Sequence, residues 1–188
     1  MGSKILDKNF FNKNTVKVAK ELLGMYLYRQ TDDYIYRATI IETEAYHGED
    51  DLACHCSKGK TERTKIMYEQ SGFIYIYLIY GIYNMLNIVT MRKGFPAAVL
   101  IRGLDKAEIK TGIDKWKKID NKTNGPGKLT KVFSIDKSLN KKLLSKETGL
   151  WIERKINYKP KKIIISKRIG IDYAKKSKEL PWRFLLVE

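Results

Sequence analysis

The segment Phe73–Thr90, FIYIYLIYGIYNMLNIVT, decides how this chain folds. It lies inside Gln70–Met91, a run of 22 residues without a charged side chain, which is long enough to cross a bilayer as a helix. Its internal pattern is that of strands, because tyrosines and isoleucines alternate at period two before Gly81. The glycine then separates two pieces of strand length. We therefore predict a β-hairpin with its tip at Tyr80–Tyr83, and not a membrane span.

The segments around this hairpin carry equally local signals. Asn14 and Gly24 bound an amphipathic helix, and a polar turn at 31–33 joins two predicted strands, 25–30 and 34–46. The remaining predicted elements are a short helical piece at 62–70, a strand at 97–104, a helix at 127–135 and a strand at 163–171. Strands and helices without a regular βαβ alternation indicate a single mixed α+β domain over residues 1–188.

The composition of the chain bounds its partners and its location. The 188 residues are 43% hydrophobic, which is enough for one sizeable core. The 37 Lys and Arg residues outnumber the 21 Asp and Glu residues, with lysines dense between 105 and 162, and this charge favours a nucleic acid before an anionic membrane. The opening residues lack the apolar stretch of a signal peptide, and two cysteines one residue apart cannot build a disulfide framework. We expect a cytoplasmic protein.

Five acidic residues within ten positions oppose this charge: Glu42, Glu44, Glu49, Asp50 and Asp51. The last three follow a glycine, and we interpret them as a solvated loop. Glu44 is different, because it stands at the end of an apolar strand, where a charge needs a functional or structural reason. Arg102 follows the most apolar run of the strand at 97–104 and is a candidate partner for a carboxylate.

Both histidines and both cysteines lie in one short stretch, as His47, Cys54, His55 and Cys56. All four are zinc-ligand types, but Cys-His-Cys lacks the two-residue gap that lets paired cysteines reach one metal, and there is no second cysteine pair. We expect no metal or other cofactor, with the cysteines as small semi-buried side chains. A zinc-dependent nucleobase hydrolase that uses these four residues remains an alternative.

Tyrosines are concentrated around the hairpin, at positions 68, 75, 77, 80 and 83. Most aromatic side chains in strands belong to the core. At a hairpin tip in a basic protein they can also stack on a base or wedge between base pairs. Charge and tyrosines alone would fit a second alternative, a noncatalytic nucleic-acid-binding domain in which Glu44 and Arg102 are incidental.

Four motifs, in this order, resemble the alkyladenine DNA glycosylases, also called 3-methyladenine or methylpurine DNA glycosylases. They are IETEAYHGEDDLACH at 41–55, YIYLIYGIYNMLNI at 75–88, AVLIRGL at 98–104 and NGPGKLTKVF at 124–133. With the opening NFF and the closing RFLLVE, the resemblance covers nearly the whole chain. It implies a curved, mostly antiparallel sheet surrounded by short helices, with a hairpin that inserts into DNA.

The resemblance also implies the reaction. Glu44 would activate a water, and Arg102 would help to hold that water and the carboxylate. The enzyme would act as a monomer on double-stranded DNA with damaged purines, flip the base out and hydrolyse its N-glycosidic bond. No lysine matches a Schiff-base nucleophile, which implies a monofunctional hydrolase. The substrates would be 3-methyladenine and, less directly, 7-methylguanine, hypoxanthine and ethenoadenine.

The resemblance assigns the base pocket residue by residue. Tyr46, His55 and Tyr77 would enclose the extruded base. Asn87 would crowd the exocyclic amino group of normal guanine, and Tyr83 would fill the space that the flipped nucleotide leaves.

Two positions depart from the family pattern. Thr61-Glu62-Arg63-Thr64 stands where the family often has Thr-Pro-Arg-Asn, which leaves the conformation of that loop open. His47 replaces a residue that is commonly apolar or small, and we expect it to alter the polarity of the adjacent pocket.

Overall fold

Ten strands form one open antiparallel sheet in the computed structural model, which describes residues 4–155, 158 and 162–187. The strands are β1 (Lys4–Ile5), β2 (Tyr26–Gln30), β3 (Ile35–His47), β4 (Ile74–Ile79), β5 (Tyr83–Val89), β6 (Ala97–Lys110), β7 (Lys117–Lys118), β8 (Leu150–Arg154), β9 (Lys162–Ser166) and β10 (Arg183–Val187). The α-helices are α1 (Lys8–Phe11), α2 (Thr15–Glu21) and α3 (Pro126–Val132). Short 3-10 turns cover His55–Lys58, Lys65–Tyr68, Lys137–Leu139 and Asp172–Glu179. The mixed α+β class is as predicted, and the outermost residues of the predicted domain, with 156–157 and 159–161 of the Lys-rich segment, lie outside the described residues.

The two longest strands, β3 and β6, form the centre of the sheet. The strand order is β1-β8-β2-β3-β6-β5-β4, with β10 beside the second half of β3, β9 beyond β10, and β7 beside the end of β6. The β3–β6 register shifts three times between Arg37 and Thr43. Such bulges bend a strand and increase its twist. The β3–β6 pair is therefore curved next to the residues of β3 that follow the bulges.

Helix α2 covers one face of this sheet. The side chain of Asn14 caps it by accepting hydrogen bonds from the first turn, as the sequence predicts. Val18, Ala19 and Leu22 are fully buried against the sheet, and the Thr43 hydroxyl donates to the Ala19 carbonyl at 2.8 Å. Each large apolar side chain buried in this way stabilises the fold by about 1.5–3 kcal/mol.

The predicted hairpin is present as β4 and β5, which pair from Ile74 with Ile88 to Ile79 with Tyr83. At its tip Tyr80 and Gly81 both have positive φ, of 52° and 73°, as a tight turn between twisted strands requires. No helix within the described residues combines the length and the apolarity needed to cross a bilayer.

Three predicted elements differ from the observed ones. The helical piece at 62–70 is only a 3-10 turn, and the strand at 97–104 continues to Lys110 because β3 pairs with it along its length. The strand predicted at 163–171 ends at Ser166. The chain leaves the sheet there because Arg168 is drawn into the interior by a buried carboxylate.

Candidate active site

Strand register gathers the predicted site residues on one face of the sheet. Glu44 on β3 pairs with Leu100 on β6, and Leu100 pairs with Asn87 on β5. Asn87 in turn pairs with Tyr75 on β4. Directly paired residues project to the same side, so these four form a row of about 14 Å, at about 4.8 Å per strand. Side chains two positions along the same strands share this face: Tyr46, Tyr77 and Arg102.

A cavity of about 350 Å³ opens on this face. It is lined by Tyr and aliphatic side chains of β4, by the turn at His55 and by the loop 169–171. Its volume is within the range of small-molecule sites. Five of the seven predicted site residues line it, namely Tyr46, His55, Tyr77, Asn87 and Arg102.

The Glu44 carboxylate contacts three residues that line this cavity, is shielded from solvent and is hydrogen-bonded at both oxygens. The Ile169 N–H donates to Oε1 at 2.9 Å, and the Tyr46 hydroxyl donates to Oε2 at 2.8 Å. Burial raises the pKa of Glu44, while the charge of Arg102 and the two donors partly oppose that rise. An oriented carboxylate with a raised pKa has the properties of a general base.

Arg102 joins Glu44 to a second carboxylate, Glu42. Its Nε lies 3.5 Å from Glu44 Oε1 and 3.1 Å from Glu42 Oε1. Arg183 on β10 contacts the same Glu42 oxygen at 2.5 Å. The two carboxylates and two guanidinium groups compensate one another, which buried charges require. The sequence predicts Arg102 as a partner but gives no sign of Arg183, which is 141 positions from Glu42.

The three ring residues predicted to enclose a base reach the cavity from three elements: Tyr46 on β3, His55 on its 3-10 turn and Tyr77 on β4. The rings of His55 and Tyr77 meet edge to face, with centroids 4.4 Å apart, and His55 Nδ1 lies 2.8 Å from the Tyr75 hydroxyl. Burial, and then the charge of Arg63, lower the pKa of His55 to about 4. Its imidazole is therefore neutral at neutral pH and can meet a cationic base without repulsion.

Asn87 is held in one orientation by the backbone. Its Nδ2 donates to the carbonyls of Met85 at 3.1 Å and of Tyr75 at 3.3 Å. The side chain is buried at the wall of the cavity. A group fixed in this way cannot swing aside to admit a bulkier ligand.

Two tyrosines at the hairpin tip differ in environment. Tyr80 is 89% exposed and borders the mouth of the cavity. Tyr83 is 47% exposed, and its ring lies so close to Gly127 in α3 that a Cβ there would stand 2.9 Å from it. The role of Tyr83 in DNA stays a prediction, and Tyr80 projects further from the protein.

An ion pair that the sequence does not reveal lies beside this site. Asp51 and Arg168 have fully buried side chains and two contacts, of 2.6 and 2.8 Å. The interpretation of Asp51 as a solvated loop acid is therefore wrong. Only Arg168 could have indicated this ion pair from the sequence, because it is a charged residue inside the apolar run IIISKRIGI, which the sequence analysis assigns to a strand.

His47 lies on the opposite face of β3 from Tyr46. Its Nδ1 is 2.8 Å from the Thr15 hydroxyl, and its ring packs against Phe95. The expectation that His47 alters the polarity of the pocket is wrong, because successive side chains of a strand point to opposite faces.

The four zinc-ligand types are not brought together. His47 and His55 contact different side chains. The sulfurs of Cys54 and Cys56 are paired in a disulfide, and both residues are buried, where the sequence analysis expected small semi-buried side chains. Their Cα atoms are 5.2 Å apart, within the range that a disulfide spans. In the part of the chain that the structure describes, no group of three or more His, Cys, Asp or Glu side chains is placed to hold a metal ion.

Comparison with known proteins gives one consistent result. The sequence model of the methylpurine-DNA glycosylase family matches residues 9–188. A protein of Methanocella arvoryzae is 43% identical over 96% of this chain and 91% of its own length. Proteins of Clostridium novyi (40% identity) and Bdellovibrio bacteriovorus (42% identity) each align with 97% of this chain and 95% of their own length. All three relatives carry the provisional name 3-methyladenine DNA glycosylase.

Proposed function

The chain belongs to the methylpurine-DNA glycosylase family, and we propose that it hydrolyses the N-glycosidic bond of alkylated purines in double-stranded DNA with Glu44 as its general base. The enzyme is a DNA glycosylase, a hydrolase of N-glycosyl bonds. One observation carries the assignment of Glu44. Its carboxylate is buried, hydrogen-bonded at both oxygens to residues that line an aromatic cavity, and paired with Arg102 from the same cavity.

Glu44 would activate the attacking water. Cleavage passes through an oxocarbenium-like state at the sugar, which a nearby carboxylate stabilises and which an activated water captures. Arg102 lines the cavity beside Glu44 and would orient that water together with the carboxylate. The positive charge of Arg102 also favours the ionised form of Glu44, which is the form that accepts the proton.

The pocket favours a base that already carries a positive charge. A purine such as 3-methyladenine is cationic while it is bonded to the sugar, so it takes the electrons of the broken bond, leaves as a neutral base and needs little protonation by the enzyme. Tyr46 and Tyr77 would stack on it, and the neutral imidazole of His55 would contact its edge. Asn87, fixed by two carbonyls, would collide with the exocyclic amino group of guanine. Damaged purines without this charge, such as hypoxanthine, would then be poorer substrates, because they would leave as anions unless the enzyme protonates them.

The reaction would stop at the abasic site. A lyase step needs an amine that forms a Schiff base with the sugar. The described residues that line the cavity include no lysine. We also propose that the enzyme acts as a monomer.

The hairpin tip would enter the duplex. Flipping a base costs a few kcal/mol, and a side chain inserted in its place repays part of that cost. We propose Tyr80 for this wedge, with Tyr83 supporting it, because Tyr80 is exposed at the mouth of the cavity and Tyr83 packs on Gly127.

Cationic side chains flank the cavity on two sides and would hold the DNA backbone. One adjoining cavity is lined by Lys58, Arg63 and Lys175, and another by Arg63, Lys137 and Lys141. Contacts of this kind position the duplex without reading its sequence. With a net charge of +16, affinity should fall steeply as salt is added.

The test is single-turnover release of free base from methylated duplex DNA at low salt, with wild type and Glu44→Gln. We expect the wild type to release 3-methyladenine, with strand breaks only after alkali, and Glu44→Gln to bind the DNA without releasing base. Glu108→Gln is the matched control, because Glu108 pairs with Arg37 away from the cavity. Equal release by both Glu44 forms would remove the proposed role. DNA binding without release by the wild type would indicate the noncatalytic domain, and loss of release with a chelator would indicate the zinc hydrolase.

A further inference from the structure

The Asp51–Arg168 pair joins two loops without regular secondary structure, the loop after β3 and the loop after β9. Arg168 donates through its two terminal nitrogens to both oxygens of Asp51, to the Ala45 carbonyl at 2.8 Å and to the Ser177 carbonyl at 3.0 Å. Asp51 also accepts from the backbone N–H of His47 at 3.2 Å. The pair thus joins the end of β3, the loop that follows it and the loop after β9.

Both hydrogen bonds to the Glu44 carboxylate start from groups that Arg168 holds. Ile169 directly follows Arg168, and its N–H donates to Glu44 Oε1. The guanidinium carbon of Arg168 lies 4.8 Å from the centre of the Tyr46 ring, and the Tyr46 hydroxyl donates to Glu44 Oε2. The same guanidinium lies 5.2 Å from the ring of Trp182, so it is fixed between two aromatic rings.

We propose that the Asp51–Arg168 pair is a positioning device for catalysis, which holds the Ile169 N–H and the Tyr46 hydroxyl against the Glu44 carboxylate. This inference rests on the proposed role of Glu44. Neither Asp51 nor Arg168 is among the groups that line the cavity, so the pair acts through the other two residues.

A merely structural ion pair would not need this arrangement. A buried pair seldom stabilises a fold more than apolar side chains of the same size would, so its presence calls for a second reason. The Arg168 guanidinium contacts the Ala45 carbonyl and the Tyr46 ring, and Arg168 directly precedes Ile169. These groups determine the positions of the Tyr46 hydroxyl and the Ile169 N–H relative to Glu44.

The expected signature is in the pH dependence of the reaction. The donors from Ile169 and Tyr46 both lower the pKa of Glu44, so loosening them raises it. The acidic limb of the rate profile then moves to higher pH, because the base is protonated over a wider range. The titratable and charged groups that face Glu44 are Arg102 from β6, Glu42 and Tyr46 from β3, Tyr77 from β4 and Arg183 from β10.

The experiment compares wild type, Asp51→Asn and the double variant Asp51→Asn/Arg168→Gln in single-turnover release of 3-methyladenine between pH 5 and 9. The double variant leaves no unpaired buried charge, so it protects the test against loss of folding. We expect a rate at pH 7 about tenfold lower, an acidic limb about half a unit higher, and affinity for a duplex with a tetrahydrofuran abasic analogue unchanged within about twofold. Arg37→Lys, which weakens a pair distant from the cavity, is the control for stability alone.

An acidic limb that stays in place while thermal stability falls would overturn the inference, and so would an unchanged rate. A failure of the proposed function is distinguishable. If Glu44 is not the base, the acidic limb of the wild-type rate profile would persist in Glu44→Gln, whatever the Asp51 and Arg168 variants do.

Discussion

The hydroxyl of Tyr46 donates to the Glu44 carboxylate, 2.8 Å away and two positions earlier on the same strand. The residue proposed to stack on the base is thereby bonded to the residue proposed to activate water. Two further groups contact this carboxylate, the Ile169 N–H and the Arg102 guanidinium. If both proposed roles hold, we expect recognition of the base and ionisation of Glu44 to be coupled through this hydrogen bond.

Tyr46→Phe tests this coupling. The ring remains for stacking, but Glu44 loses one hydrogen-bond donor, so its pKa rises. We expect the acidic limb of single-turnover base release to move to higher pH, with a rate loss at pH 7 of about 10- to 150-fold, the effect of roughly one hydrogen bond to a charged group. Tyr68→Phe is the matched control, because Tyr68 donates to Glu49 outside the cavity. A uniform rate loss at all pH values would contradict the coupling.

Glu44→Gln should be more stable than the wild type at neutral pH. Burial raises the pKa of Glu44 in the folded protein, so the wild type loses stability as pH rises from the unfolded pKa through the folded one. The gain from the substitution is therefore present above the folded pKa and absent at pH 4 and below. Thermal unfolding between pH 4 and 8 measures it. Glu108→Gln, which removes an ordinary ion pair with Arg37, should show no such gain, and a glutamine variant that is less stable at pH 8 would refute the prediction.

The two tyrosines at the hairpin tip should respond differently to alanine. For Tyr80→Ala we expect affinity for a duplex with an abasic analogue to fall by about 5- to 150-fold, as the loss of one stacking contact implies, with thermal stability unchanged. For Tyr83→Ala we expect lower thermal stability, because its ring packs on Gly127. Tyr34→Ala, an exposed tyrosine before β3, controls for nonspecific effects. If Tyr83→Ala lost DNA affinity and Tyr80→Ala lost thermal stability instead, Tyr83 would be the side chain that enters the duplex.

His55 should remain neutral throughout the physiological range. Burial and the charge of Arg63 lower its pKa to about 4, so its NMR ring signals should not titrate between pH 5.5 and 8. The stability that this shift confers is complete above the unfolded pKa of about 6.5 and is lost as pH falls through about 4. His47 is the only other histidine, so the His47→Gln variant assigns the signals. A transition near pH 6.5 in that variant would contradict the neutral imidazole.

Local pattern is sufficient to predict some of these elements. The alternation before Gly81 gives β4, and the Asn14 cap gives the start of α2, because both depend on interactions within a few residues. The strand at 163–171 shows where this fails. Its apolar run continues through Ile171, yet β9 ends at Ser166 because Arg168 pairs with a distant Asp51.

Residue patterns are enough to predict the hairpin, the positive charge of the protein and a carboxylate, Glu44, at the end of an apolar strand. What surrounds that carboxylate depends on the tertiary fold. Arg102 and Asn87 reach its face through strand register, which the bulges in β3 and burial of the core fix. Ile169 comes from 125 positions away, and no periodicity in a sequence reports pairings over such separations, because they depend on the packing of the whole sheet.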